Sequence, residues 1–163
     1  MTNWPPDRDE LTRQLIRIVE IRLLDPIEIL LEDGATTGAL QRMVQAKATS
    51  WAALLLGEDD QAAALTAARL IAALYPGDTA LEPPADWWRT PFGRVVAHRL
   101  GHPSTQAVSY SVAGAMLGIT RQGVHDLVSR GKLARHPDGG VLVTSIRSRL
   151  NRDDSRTTSG GKS

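Results

Sequence analysis

Residues 112–128 read VAGAMLGITRQGVHDLV, and the spacing of small residues there restricts the fold more than anything else in the chain. Ala113, Gly114 and Ala115 are small enough for two helices to cross closely, and Gly118 stands four residues after Gly114, where a first helix must exit. A left-handed exit costs a residue with a side chain about 1 kcal/mol or more, a cost that glycine avoids. Ile119 then returns toward the core. Thr120 is a suitable cap for a second helix, on which Val124, Leu127 and Val128 recur at three- and four-residue spacing. The pattern predicts a tight helix, glycine turn and helix. Its second helix leaves Arg121, Gln122, His125 and Ser129 facing outward and stops at Gly131. Arginine can donate two hydrogen bonds to guanine and glutamine can bond adenine, so this face suits base edges in a major groove.

The next stretch, KLARHPDGGVLV at 132–143, has two short apolar-bearing runs joined by Pro137, Asp138, Gly139 and Gly140, which predicts a β-hairpin. Arg130 and Lys132 lie at the helix exit, and Arg135 and His136 near the hairpin tip, where a phosphate backbone or minor groove would pass. Thr144 or Ser145 is expected to cap a last helix through Ile146 and Leu150. This order of parts, SVAGAMLGITRQGVHDLVSRGKLARHPDGGVLVTSIRSRL, resembles the winged helix-turn-helix of excisionase and MerR-type DNA-binding domains. The resemblance covers about forty residues, a quarter of the chain, and implies double-stranded DNA as the partner. Candidate DNA-binding residues are Thr120, Arg121, Gln122, His125, Ser129, Arg130, Lys132, Arg135 and His136. Gly114 stands where such motifs usually carry alanine, which weakens the first helix by roughly 0.5–1 kcal/mol unless close packing requires glycine.

Charge is divided along the chain. Residues 1–88 hold 7 Lys/Arg against 14 Asp/Glu, a net of −7, whereas residues 89–163 hold 12 against 4, a net of +8. The basic excess coincides with the motif, and Arg89, Arg94, Arg99, Arg147, Arg149 and Arg152 join the motif's own cations as candidate phosphate neighbours. The acidic half is expected to supply assembly or a partner surface. A small winged module reads few base pairs, so a homodimer or a protein partner through the N-terminal helices is a further expectation. A two-fold dimer would set two recognition helices about 34 Å apart.

That N-terminal half is helical by pattern. Asp7 and Glu10 form a capping box before a stripe of Leu11, Leu15, Ile18 and Val19, widened by Ile16, Ile21, Leu23 and Leu24. Pro26 interrupts or restarts that helix. A second helix is expected over 37–56, with Leu40, Met43, Val44, Ala48, Trp51, Leu54 and Leu55 in register. Asp59 or Asp60 caps a third, with Leu65, Ala68, Ile71, Ala72 and Tyr75 on one face, packed within its own bundle in preference to a second subunit. The fold class is therefore mainly α: an N-terminal helical bundle (1–77), a Pro/Trp linker (78–89), a winged helix-turn-helix with a small β-hairpin (90–150) and a disordered tail (151–163). Trp87 and Trp88 read as a hydrophobic clasp more than as an effector contact. Thr90 and Pro91 open a helix through Phe92, Val95, Val96 and Leu100.

Enzyme chemistry finds little support. Without cysteine, and with His98, His102, His125 and His136 at no metal-site spacing, neither zinc nor another cofactor is expected, and His98 and His102 read as surface or core-edge residues. No phosphate-binding glycine loop or nucleophile constellation is present, so no catalytic residue is assigned. No run reaches the ~18–20 apolar residues that span a bilayer, and MTNWPPDRDE lacks the regions of a secretory signal. A cytoplasmic, nucleoid-associated location is expected. The reading is a sequence-specific DNA-binding protein of a bacterium or phage, a transcriptional regulator. The alternatives are an excisionase-like architectural factor in recombination, replication or segregation, and a protein-interaction adaptor without DNA binding.

Overall fold

The computed structural model describes residues 4–77 and 81–159. Expectations that touch residues 1–3, 78–80 or 160–163, among them the start of the linker and Gly160-Gly161, lie outside the described residues. The described chain is mainly helical with a small two-stranded antiparallel sheet. It divides into two compact units: Pro6–Asp78, and Met1–Pro5 together with Thr79–Ser163. None of the described helices is long and apolar enough to cross a membrane.

In the first unit, the Asp7 carboxylate accepts a hydrogen bond from the Glu10 amide at 2.9 Å and starts α1 (Arg8–Val19). Leu11, Leu15 and Val19 are buried at helical spacing, each stabilising the unit by about 1.5–3 kcal/mol. Pro26 has no N–H to donate to the carbonyl four residues back, yet the helix does not stop. Instead Glu20–Leu24 widens into a π-turn closed by the Asp25 amide on the Glu20 carbonyl. Helix α2 (Asp25–Leu31) then runs on with Pro26 in its first turn.

Asp33 accepts from the Ala35 and Thr36 amides at 3.1 and 3.3 Å, so α3 (Gly34–Leu55) begins three residues ahead of the expected Thr37. Asp59 caps α4 (Asp60–Leu74) through the Ala62 amide at 3.0 Å. Helix α3 packs against both α1 and α4. The inner face of α4 is Ala63, Ala67, Leu70, Ile71 and Leu74; of the expected face only Ile71 is buried, and Leu65 is 60% exposed. On α3, Met43 and Leu54 also turn outward. An alanine-rich helix has weak periodicity, so the neighbour decides its rotation: α3 buries Ala48 and Ala52, and small residues on both helices permit close approach.

The second unit opens with a 3-10 helix (Ala85–Arg89) within the expected linker, which buries Trp88 completely. Trp87 sits edge-on to Trp88 at 4.9 Å and to Phe92 at 5.9 Å, a clasp between this turn and α5 (Pro91–Arg99). Any Cβ on Gly93 would overlap the Trp87 carbonyl, so only glycine fits there. Thr90 caps α5 through the Gly93 amide at 3.1 Å, with Pro91 at the first position. There follow β1 (Ala107–Val108), α6 (Tyr110–Leu117), α7 (Arg121–Ser129), β2 (Val141–Leu142) and α8 (Val143–Ser159). Ala107 pairs with Leu142 and Val108 with Val141. Trp88, Phe92, Val95, Val96, Met116, Val124, Val141 and Ile146 form the core.

Helix α8 differs from expectation at both ends. It starts at Val143, ahead of Thr144 and Ser145, and the Ser145 hydroxyl instead accepts the Ala134 amide at 2.8 Å. The polar run expected to be disordered continues the helix to Ser159. No glycine or proline interrupts 143–159, and Asp154 Oδ2 lies 3.0 Å from His98 Nδ1. His98, expected at the surface or core edge, is only 6% exposed, with the Trp4 indole stacked on it at 3.7 Å. Burial, reinforced by Arg94 and Arg99, pushes the His98 pKa down to about 3. The ring is therefore neutral, and it lies beside Asp154, whose carboxyl burial pushes up to about 6 against the pull of Arg99.

Candidate nucleic-acid interface

The turn between α6 and α7 is fixed by backbone hydrogen bonds. Ser109 caps α6 through the Val112 amide at 3.2 Å. At the other end Gly118 adopts φ 70°, its amide bonds the Ala115 carbonyl at 3.3 Å, and the Ile119 amide reaches the Gly114 carbonyl at 2.9 Å. This paired pattern satisfies carbonyls that a helix end otherwise leaves open. A Cβ at Gly114 would lie 2.9 Å from the Ile119 oxygen and 3.3 Å from the Thr120 carbonyl carbon. Close packing therefore requires glycine at this position.

Thr120 Oγ1 accepts the Gly123 amide at 3.0 Å and begins α7. Val124 is fully buried, while Leu127 and Val128 are half-buried. Arg121, Gln122, His125 and Ser129 are exposed, and their spacing places them along one side of the helix. Two neighbours that sequence reading passed over shape that side. Asp126 accepts a hydrogen bond from Gln122 Nε2 at 3.2 Å, and the Tyr110 ring meets His125 edge-on at 5.4 Å. The i, i+4 spacing of Gln122 and Asp126 is the signal that would have found the first.

Helix α7 ends as α6 does: Gly131 at φ 69° bonds Val128, and the Lys132 amide bonds the Leu127 carbonyl at 2.8 Å. Buried Leu133 then returns the chain inward. In place of the β-hairpin expected over 132–143 there is a reversal joined by one isolated bridge, Arg135 to Val141, with the Leu142 amide on Ala134 and the His136 amide on Gly140, because Val141 and Leu142 take β1 as their strand partner. Gly139 and Gly140 hold φ of 103° and 80°, and a Cβ on Gly140 would come 2.6 Å from the Val108 oxygen. The half-buried His136 accepts the Asp138 amide at Nδ1, 3.1 Å away, which leaves its proton on Nε2.

Eight of the basic residues fall into two groups. Arg89 donates from Nη2 to the Ile119 carbonyl at 3.2 Å and so braces the turn. Arg147 donates to the His98 and Arg99 carbonyls at 3.4 and 2.8 Å, and the Arg99 guanidinium lies over the Trp4 ring, 5.6 Å from its centroid. Arg94 is half-buried, with guanidinium nitrogens out of reach of solvent. These four, counted by sequence among the phosphate neighbours, are committed to the fold. Arg121, Arg130, Lys132 and Arg135 are exposed and form no ion pair or side-chain hydrogen bond with the described residues. The chain matches no protein-family model, no curated protein and no solved structure.

Proposed function

We propose that this protein is a sequence-specific, non-enzymatic DNA-binding protein that acts as a transcriptional regulator, with α6 and α7 as a helix-turn-helix and the 134–142 reversal as its wing. One observation carries the reading: four exposed cations without an ion pair or side-chain hydrogen bond among the described residues, Arg121, Arg130, Lys132 and Arg135, stand on and just after a helix that also exposes Gln122 and His125. In this reading Arg121, Gln122 and His125 read base edges, with Thr120 and Ser129 at the ends of that helix face. Arg130, Lys132, Arg135 and His136 hold phosphates, the last through its Nε2 proton. Gln122 must exchange its bond to Asp126 for one to a base, which lowers the net gain from that contact.

The test begins with fragments selected from random DNA at stated salt. Arg121→Ala and Gln122→Ala should each cost about 1–3 kcal/mol on the selected site and little on random duplex. Lys132→Ala and Arg135→Ala should weaken both alike and lower the log–log salt slope by about 0.9 each. Equal losses on both DNAs for Arg121 and Gln122 would remove them from base reading. No measurable affinity at low salt would remove DNA binding altogether.

A further inference from the structure

The first unit exposes apolar surface that its own core does not use. Ile21, Ile29, Leu30 and Leu31 are 55, 76, 80 and 65% exposed, and α2 has no buried residue at all. Helix α2 continues α1 through the π-turn, so its backbone is ordered within one long helix, but its exposed apolar side chains stay in water unless a further surface covers them. Immediately before it, Arg13, Ile16, Arg17, Glu20, Ile21 and Asp25 line a shallow groove of about 410 Å³ along α1 and the π-turn. Arg13 and Arg17 have no ion pair or side-chain hydrogen bond with the described residues, and neither have Asp25 and Glu28. Glu20 is held by the Gln41 amide at 2.7 Å.

Charge along this face is polar in the sense of direction. Its N-terminal half carries Arg13 and Arg17, its C-terminal half Asp25 and Glu28, and Ile21 stands between them. A two-fold axis makes a patch meet itself, so each half must complement the other. We infer that the outer face of α1, the π-turn and α2 is a homodimer interface on which a second copy of this chain packs antiparallel, with the axis near Ile21. Arg17 then faces the partner's Asp25, Arg13 faces the partner's Glu28, and Ile21, Ile29 and Leu30 are withdrawn from water. Parallel packing would oppose like charges and is disfavoured. The face, ~36 Å long and ~10 Å wide, is smaller than the ~800 Å² per partner of a standard stable interface. The dimer is therefore weak and dissociates on dilution. This inference stands apart from the DNA reading, because it concerns the protein alone.

Sedimentation equilibrium of the full chain without DNA tests it. The expected result is a reversible monomer–dimer equilibrium that weakens with added salt. Ile29→Lys, at a position too exposed to disturb folding and set against the partner's Arg13, should raise the dissociation constant by about tenfold or more with the circular dichroism unchanged. Arg17→Asp and Asp25→Arg should each weaken the dimer, and the double variant should restore it. A monomer at every loading concentration up to about 1 mM overturns the inference. So does a dimer indifferent to Ile29→Lys, or a double variant no tighter than the single ones.

Discussion

Replacing Gly114 by alanine sets two physical effects against each other. Helix propensity by itself favours alanine by about 0.5–1 kcal/mol in a helix interior. The added Cβ would however sit 2.9 Å from the Ile119 oxygen and 3.3 Å from the Thr120 carbonyl carbon, both backbone atoms. Ile119 has little room to withdraw, since its amide bonds Gly114 at 2.9 Å and its carbonyl takes the Arg89 bond at 3.2 Å. Overpacking of this kind costs about 1–3 kcal/mol, which set against the propensity gain leaves Gly114→Ala destabilising by roughly 1 kcal/mol, and by about 2.5 kcal/mol at most. For a unit of this size that lowers its melting temperature by roughly 5–15 °C, read by thermal circular dichroism and urea unfolding. Gly131→Ala is the converse control: its backbone is left-handed at φ 69°, unlike the helical Gly114, and nothing lies within 4 Å of a Cβ. Its cost is the left-handed backbone alone, about 1 kcal/mol. A Gly114→Ala protein as stable as wild type, or more so, would show that the turn yields and that steric closure does not explain the glycine.

Acid stability depends on the His98–Asp154 pair. The lowered pKa of His98, about 3 against the usual 6.5, contributes stability that is present above pH 6.5 and lost as pH falls. The raised pKa of Asp154, about 6 against 3.8, contributes stability that is present below 3.8 and lost as pH rises through 6. Between these limits the two changes oppose each other, so the wild type should be nearly flat from pH 6.5 to 4. Asp154→Asn removes one of them and should make urea stability fall steeply over the same range; an equally flat variant would count against the opposition. Arg89→Ala should cost about 0.5–1.5 kcal/mol, the net value of an ordinary hydrogen bond, and speed amide exchange at 119–124. Unchanged exchange there would mean that the turn holds without its brace.

Features that depend on neighbours within one helical turn were legible in the sequence. The caps at Asp7, Asp59, Thr90 and Thr120 each bond an amide three residues on, and the Gly118 exit is set by its own backbone. Such interactions are chosen by adjacent residue types, whatever the rest of the chain does. Proline at 26 announced an irregularity, but whether the helix would break or widen depended on α3 packing against the same stretch. The rotation of α4 likewise waited on α3, because alanine marks a face only weakly. His98 was not readable as buried, since Trp4 and Asp154, which cover it, lie far from it along the chain. The arginines show the same division: composition counted one basic patch, while folding committed Arg89 to a carbonyl 30 residues away and Arg147 to carbonyls 48 and 49 residues away. Local hydrogen bonding wrote the helices and the turn between them into the sequence. Which charges remain for a partner was decided only when distant backbone carbonyls came within reach.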